Sequence, residues 1–562
     1  MTWNPEPLIA ADPDPRATPH LVPMRDGVRL ATDVYLPEDV PAPVILIRTC
    51  YDKSSWVTFL PLVAEYFNAQ GYAVVTQDVR GKFGSEGDSY PFIPEIPDGY
   101  DSLDWVVNQD WCDGGIAMFG DSYFAFTAWA AVASEHPALR AIVSRGIATD
   151  VAHEVAYRDG VYCLATGAFW APFTMDRWQY AYEFPLDWDV RPLGDIISSW
   201  LPGRRATFFD EARNATPDSS FWKSPSFADV RADRIRIPAL HVGGWWEDFR
   251  RGQLADWRVA RESTKAPQYL LMDASDHFDA RLQDDDAPEP DWRETEEGIR
   301  AYLPRYLDPA IEFLDREFRG HDIPAPALVR TEIVGGGWWH GDQWPPPASH
   351  SRRLHLGAAD QAMSSEVGGT LGLEPDSENS VATWIHDPQS LVPSLDEYPF
   401  RDLVGLLPDE REVERRPDVL TFTSEASEEP LDLTGPVLVT LDVDAEAARM
   451  QVIVKLVDVF PDGRARRITE AAYEDGRKHT PVTLELPDIG YRVLPGHQLR
   501  IEVAASCFPR FMPLIDPDGD SWSATEGPRV EYRLSTGNVS TSYVDLTVCS
   551  NLTLISPAPW EA

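Results

Sequence analysis

Residues 117–126 read AMFGDSYFAF. A short apolar strand, GIAMF, ends at Phe119, Gly120-Asp121-Ser122-Tyr123 turns, and AFTAWAAVASEHP continues as an alanine-rich helical pattern. A serine at such a junction exposes its hydroxyl at the carboxyl edge of a sheet. The helix N-terminus then aims amides at an oxyanion forming there. Gly120 lets neighbouring backbone pass close to the turn. The general nucleophile elbow is G-x-S-x-G, and Phe124 stands where its last glycine would be. Two readings are open: Ser122 as a nucleophile on an elbow, or as a buried serine in a tight strand-to-helix turn.

Working outward, the first 150 residues alternate strands and helices. RDGVRLATDVYLP has the period of a hairpin, while PVILIRT and YAVVTQDVRG are short buried strands. FLPLVAEYFNAQG between them is helical and closes at Gly71, and DGYDSLDWVVNQ is a further helix. LRAIVSRG follows as a strand. This rhythm, with near-continuous apolar strands, predicts a parallel sheet covered on both faces. From about 151 to 231 the strands stop, and an aromatic, proline-rich stretch (FWAPFTMDRWQYAYEFPLDWDV) predicts an inserted, mainly helical cap. Strands return with IPALHVGGWW and APQYLLMDAS, and the helix PAIEFLDREFRG ends the α/β part near 324. Beyond it, VLVTLDVD, MQVIVKLVDV, PVTLELPD, HQLRIEVAAS and TSYVDLTVC are short alternating strands split by turn residues. That texture predicts a β-sandwich or jelly roll over 325–562.

The bulk numbers remove several function classes. The chain has 562 residues, 43% of them hydrophobic, with 49 basic against 91 acidic residues and a formal charge of −42. Such acidity disfavours nucleic acid and anionic membrane as partners. No apolar run has the length of a membrane span. The opening MTWNPEPLIAADPDPR lacks the basic and apolar regions of a signal peptide. Five dispersed cysteines without paired spacing predict free thiols and a reducing compartment, hence the cytoplasm. No H-E-x-x-H or phosphate-binding glycine loop occurs, so no metal site and no cofactor are expected. Asp516-Pro-Asp518-Gly-Asp520 lacks the spaced glutamate of a calcium loop and reads as an acidic surface turn.

A serine hydroxyl is a weak nucleophile and needs a histidine base held by a carboxylate. In an elbow fold the acid and then the base follow the serine in chain order. After IPALHV come Glu247 and Asp248, and after YLLMDAS come Asp276 and His277. Of twelve histidines, His277 alone follows a late parallel strand closely.

At this point the residues resemble a known family, the cocaine esterase and X-prolyl dipeptidyl aminopeptidase-like serine hydrolases (CocE/NonD). Its elbow is G-x-S-Y-x-G/A, which Gly120, Ser122, Tyr123 and Ala125 match, so Phe124 is no defect. Arg48-Thr49-Cys50-Tyr51-Asp52-Lys53 resembles the family's R-x-P-Y-x-K. Gln77-Asp78-Val79-Arg80-Gly81, Asp98-Gly99-Tyr100-Asp101 and Phe313 to Gly320 resemble further family motifs in the same order. Val419 to Ser424, Lys455 to Val459, Arg492 to His497 and Cys507 to Phe511 are similar to its C-terminal jelly-roll strands.

The resemblance implies an α/β hydrolase with an inserted helical cap and a C-terminal jelly roll: hydrolase residues 1–150 and 232–324, cap 151–231, jelly roll 325–562. It implies Ser122 as nucleophile, His277 as general base, and an oxyanion hole of the Tyr51 hydroxyl and the Tyr123 backbone N–H. The family's G-W-Y-D puts the acid at Glu247, with Asp248 as the alternative. Cap aromatics overhanging the nucleophile would shape the acyl pocket, giving Trp170, Phe173 and Trp178, with Trp246 and Phe249, as candidate substrate contacts. The carboxylates that bind a substrate ammonium in α-amino acid ester hydrolases have no counterpart in Phe249-Arg250-Arg251. Either arginine could instead meet an anionic substrate, with surface solvation as the plainer reading.

The expected function is ester hydrolysis through an acyl-enzyme on a small-molecule ester or amide, with a homodimer allowed. The alternatives are an amide-cleaving acylase or X-Pro-type aminopeptidase, and a catalytically silent protein whose jelly roll binds carbohydrate or a partner.

Overall fold

The computed structural model describes residues 7–8, 10–177, 179–180, 187–282, 292–363, 368–396, 400, 407–475, 481–555 and 558. The N-terminal part runs β1 (Pro7–Leu8), β2 (Thr18–Pro23), β3 (Arg29–Tyr35), β4 (Ala42–Thr49), α1 (Leu60–Ala69), β5 (Ala73–Asp78), α2 (Glu95–Val107), β6 (Cys112–Asp121), α3 (Tyr123–Ala133) and β7 (Leu139–Arg145). The insertion follows, with a π-helical turn at Val151–Ala156, β8 (Tyr157–Arg158), β9 (Val161–Tyr162), α4 (Leu164–Thr174), β10 (Gln179–Tyr180), α5 (Ile196–Trp200), α6 (Thr207–Asn214) and α7 (Pro225–Ala228). The chain then resumes with β11 (Ala239–Trp246), α8 (Arg250–Ser263), β12 (Gln268–Asp276), α9 (Glu296–Glu317), β13 (Val329–Ile333) and β14 (Gly337–Gly341).

Ten of these strands form one sheet in the order β14-β13-β12-β11-β7-β6-β4-β5-β3-β2. Its interior pairs, from β5 through β4, β6, β7, β11 and β12 to β13, are parallel, and both ends are antiparallel. The apolar runs have their physical cause here. Every residue of β5, β11 and β12 is buried, as expected of parallel strands covered on both faces. All the carboxyl ends of the parallel strands lie along one edge, so residues just past β4, β6, β7, β11 and β12 converge on it.

Three expectations need correction. The helix over PAIEFLDREFRG is only the later part of α9, which starts at Glu296 and runs through Pro304 and Pro309. Each proline removes an amide and opposes the helix. Against that, Ile299, Tyr302, Leu303, Tyr306, Leu307, Ala310, Phe313 and Leu314 bury one continuous apolar face. The insertion is not strand-free, because β8 pairs with β9 and β10 with β1. Lastly, the sheet does not stop at residue 324. β13 pairs in parallel with β12 (Leu270↔Val329) and carries β14, so the sheet reaches Gly341.

The remaining strands, from Ser349–Gly357 to Tyr543–Cys549, form a second, mostly antiparallel sheet with its own core. Trp245, Trp246, Leu254 and Trp257, from β11 and α8, belong to that second core. The two units are therefore not joined by a mere linker: they share the wall formed by β11 and α8. Among the described residues no helix is long and apolar enough to cross a membrane. All five cysteines are free. Asp516 and Asp520 accept the backbone N–H groups of Asp518 and Trp522 within their own turn.

Candidate active site

Ser122 sits between β6 and α3 with φ 52° and ψ −122°, a conformation a non-glycine residue holds only under constraint. Its N–H donates to the Arg145 carbonyl at 2.8 Å, and its carbonyl accepts from Phe126 N at 3.0 Å, opening the helix. A Cβ on Gly120 would lie 2.4 Å from Phe124 Cβ and 2.8 Å from Ala125 N. The glycine two residues before the serine is thus a steric requirement of the turn. Ala125, the small residue three after the serine, is fully buried.

Glu247 and His277 meet at the end of β11 and just beyond β12. His277 Nδ1 lies 2.9 Å and 2.8 Å from the two carboxylate oxygens of Glu247. With Nδ1 committed to the carboxylate, Nε2 is the nitrogen left to face a nucleophile. Glu247 is 3% exposed and its Oε1 also accepts the Phe249 backbone N–H at 3.0 Å. Burial alone would raise the Glu247 carboxyl, but His277 and that N–H outweigh it and hold the group below its ordinary value. Burial would likewise lower His277, and the negative charge of Glu247 overcomes it, raising the imidazole above its ordinary value. The loop carrying His277 is shaped by Asp276, whose Oδ1 accepts the N–H groups of Phe278 and Ala280 at 3.0 Å each.

Asp248, the alternative acid, is turned elsewhere. Its carboxylate accepts from Arg510 Nη2 at 3.0 Å and its carbonyl from Arg158. Room for the longer glutamate comes from Gly146, at the end of β7 with φ +54°. A Cβ there would lie 3.0 Å from Glu247 Oε2 and 3.4 Å from His277 Nδ1.

Tyr51, just past β4, accepts a hydrogen bond on its phenol oxygen from Trp170 Nε1 at 2.6 Å. Tyr123 is the first residue of α3, so its N–H has no acceptor within the helix. Its side chain is buried and donates to Glu95 at 2.7 Å. Glu95 also pairs with Arg48 at 2.8 Å, and Arg48 binds Gln77 at 2.8 Å. Residues from three of the sequence motifs thus meet under the elbow in one buried network.

Two cavities touch Ser122. One is lined almost wholly by apolar groups, including Phe92, Ile147, Val151, Trp170, Phe208 and Phe249. The other holds Tyr51, Asp121, Phe173, His277, Phe278 and Arg293. Trp170 and Phe400 line both. Of the expected contacts, Trp170, Phe173 and Phe249 are therefore at the site, while Trp178 lies outside the described residues. Trp246 is in neither cavity. It is 2% exposed, packed in the second core on the far side of β11. Arg250 binds Thr469 at 2.6 Å and the Asp488 carbonyl at 3.2 Å, and Arg251 pairs with Glu154 and Asp159. Both are joints between elements and not anion receptors.

Four features escaped the reading of the sequence. Phe400 comes from the C-terminal unit to within 4.7 Å, ring to ring, of His277. Gly146 carried no motif. Phe92 lies against Phe126 and Trp170 from the loop before α2. Behind Ser122, Asp121 accepts from Tyr306, Arg145 pairs with Asp279, and Tyr302 donates to Asp279 at 2.5 Å. Only Asp121 had a visible signal, its place inside the elbow. Among the described residues no cluster of His, Cys, Asp and Glu could hold a metal ion.

A family model described as X-Pro dipeptidyl-peptidase (S15 family) matches residues 26–279. A second, for the X-Pro dipeptidyl-peptidase C-terminal non-catalytic domain, matches residues 324–527. Cocaine esterase of Rhodococcus sp. (strain MB1 Bresler) is 30% identical, over 87% of this chain and 91% of that one. Among solved structures, an aminopeptidase from the marine sediment archaeon Thaumarchaeota archaeon superposes with a TM-score of 0.78 at 22% identity, covering 95% of this chain and 96% of its own. An α-amino acid ester hydrolase gives 0.77 at 22%, covering 97% and 98%. These two share the fold, an α/β-hydrolase-like mixed sheet followed by an all-β unit. With both halves matched and a relative aligned across them, the chain belongs to the X-Pro dipeptidyl-peptidase (S15) family of serine hydrolases.

Proposed function

We propose that this serine hydrolase cleaves carboxylic esters through an acyl-enzyme, with Ser122 as nucleophile, His277 as general base and Glu247 as the acid that orients it. The observation that carries this reading is the buried Glu247–His277 pair, whose imidazole lines the same cavity as the strained Ser122. Ser122 Oγ attacks the carbonyl carbon and gives its proton to His277 Nε2. The carbonyl oxygen becomes an oxyanion held by the Tyr51 hydroxyl and the Tyr123 N–H. Collapse breaks the ester bond, and His277 returns the proton to the departing alkoxide. A water molecule, losing its proton to the same nitrogen, then attacks the acyl-enzyme and frees the acid and Ser122. No step requires a metal or cofactor.

Because the leaving group must receive its proton from His277, it occupies the cavity that contains His277, and the acyl group occupies the apolar one. That pocket fits an uncharged, flat or branched apolar acyl group. Among the described residues its lining holds no carboxylate, which favours an uncharged acyl group over a free substrate ammonium, while the X-Pro-type aminopeptidase stays the alternative that the family allows. The same reading divides the chain into hydrolase (1–150 and 232 to 341, with β13 and β14 in its sheet), a mainly helical cap (151–231) and a jelly roll in the remainder. Trp170 and Phe173 on α4 supply the overhang expected of a cap.

The test is labelling by a fluorophosphonate, with hydrolysis of matched p-nitrophenyl esters and anilides. Labelling and ester turnover that vanish in Ser122→Ala support the proposal. Turnover retained by that variant would sink it, and faster anilide cleavage would move the function to an amidase.

A further inference from the structure

We propose that Trp170 is a positioning residue for the oxyanion hole: its indole N–H binds the Tyr51 oxygen and thereby directs the phenol's proton toward the reacting carbonyl oxygen. The inference rests on the role given to Tyr51 above. An indole N–H can only donate, so in the 2.6 Å bond between the two side chains the phenol must accept. One lone pair of the phenol is thereby occupied, and its single proton is turned away from Trp170. A hydroxyl that accepts a hydrogen bond is also a stronger donor in the next one, most of all in apolar surroundings. Trp170 N–H, engaged in this way, is not itself aimed at the oxyanion.

Both rings are held. Tyr51 packs against Phe124 at 5.7 Å and Phe173 at 6.4 Å, and its backbone N–H donates to Thr49 Oγ1 at 2.9 Å. Trp170 packs against Phe92 at 5.4 Å, Tyr123 at 5.9 Å and Phe208 at 6.1 Å. Trp170 also stands between the two cavities that flank Ser122, where the carbonyl of a bound ester must lie. An aromatic wall alone would not need the indole edge turned to the phenol. Since Trp170 belongs to the insertion and Tyr51 to the sheet, the bond makes the oxyanion hole sensitive to where the insertion sits.

Two replacements at position 170 test this: Trp170→Phe, and benzothienylalanine, which keeps the bicyclic shape and removes the N–H. Each is compared with Tyr51→Phe and with the double variants. The readouts are kcat and KM on a p-nitrophenyl ester, and inhibition by an arylboronic acid, which forms a tetrahedral adduct, and by the planar product acid. Thermal melting confirms that each variant folds. Tyr51→Phe should lower kcat about a hundredfold, the usual loss of one oxyanion donor. The isosteric benzothienylalanine replacement should lower kcat and boronate affinity about tenfold, with KM and product-acid binding within about twofold, and Trp170→Phe, which also trims a cavity wall, should lower kcat at least as much. In the Tyr51→Phe background the change at 170 should lower kcat by less than about twofold, since the two act as one unit.

Wild-type kcat in the benzothienylalanine variant, or the same tenfold loss in the Tyr51→Phe background, overturns the inference. Wild-type kcat in Tyr51→Phe overturns instead the role of Tyr51 on which it rests.

Discussion

The two sides of the candidate site are built differently. The nucleophile side is local: Gly120, Ser122, Tyr123 and Ala125 form the elbow, and the buried Arg48, Gln77 and Glu95 network supports it from within the first hundred residues. The acid side is long-range. Glu247 follows directly on β11, and its chain neighbours are held from the C-terminal unit, Asp248 by Arg510 and Arg250 by Thr469 and Asp488. A local device leaves a motif in the sequence, while a long-range one leaves scattered residues that only folding assembles. The second should therefore be the more sensitive to loss of remote contacts.

The largest expected effect tests the acid itself. Glu247→Gln should lower kcat about ten-thousandfold, as when a triad carboxylate loses its charge and the imidazole its tautomer. Asp248→Asn should stay within about threefold, since Arg510 and not His277 is its partner. Equal losses in steady-state rates would break the contrast between the two neighbours.

Gly146→Ala comes next. The added methyl presses on Glu247 and His277 while the backbone holds φ +54°, so kcat should fall about a hundredfold through misplacement of the base. A crystal structure with unmoved Glu247 and unchanged kcat would contradict this.

Arg510→Met should leave Asp248 and Asp396 without their shared guanidinium. Melting should report a loss of about 3 kcal/mol. kcat should drop about tenfold, less than for Gly146→Ala, because Arg510 reaches the acid only through its neighbour.

The smallest effect is in pH dependence. The base must be neutral, so kcat/KM should rise with pH through the imidazole's value, raised above the ordinary one by Glu247. In Glu247→Gln the residual activity should have this limb moved to lower pH, because the charge that raised it is gone. The contribution of His277 to stability is whole below its unfolded value and is lost as pH rises through its raised folded value. That of Glu247 is present above its unfolded value and is lost as pH falls through its depressed folded value. A limb that does not move in the variant would dissociate the two residues.

What the sequence made legible follows the same division. The alternation of buried strands and helices and the strand-to-helix turn at Ser122 rest on period and spacing and have their counterparts in the structure, and Glu247 and His277, taken from chain order, lie paired at the same sheet edge. The choice between Glu247 and Asp248 did not follow from spacing, since adjacent residues beyond a strand point in opposite directions only once the loop is built. Trp246 was misplaced for a related reason: an aromatic beside the acid suggests a pocket wall, yet the strand's other face is the core of a second unit. Phe400 had no local pattern, being a single ring brought from more than a hundred residues away in sequence to His277. The prolines in α9 hid half of a helix whose tertiary burial outweighs its propensity.

The wall shared by β11 and α8 also has a consequence in time. During synthesis at roughly 5–20 residues per second, Ser122, Glu247 and His277 leave the ribosome well before Arg510, whose guanidinium seats the acid loop. Until then Trp245, Trp246 and Trp257 have no second core to enter. For an interval on the order of ten to fifty seconds the nascent chain carries Ser122, Glu247 and His277 but not the C-terminal contacts that hold the loop after β11. The acid loop can thus take its final seat only once Arg510 has emerged.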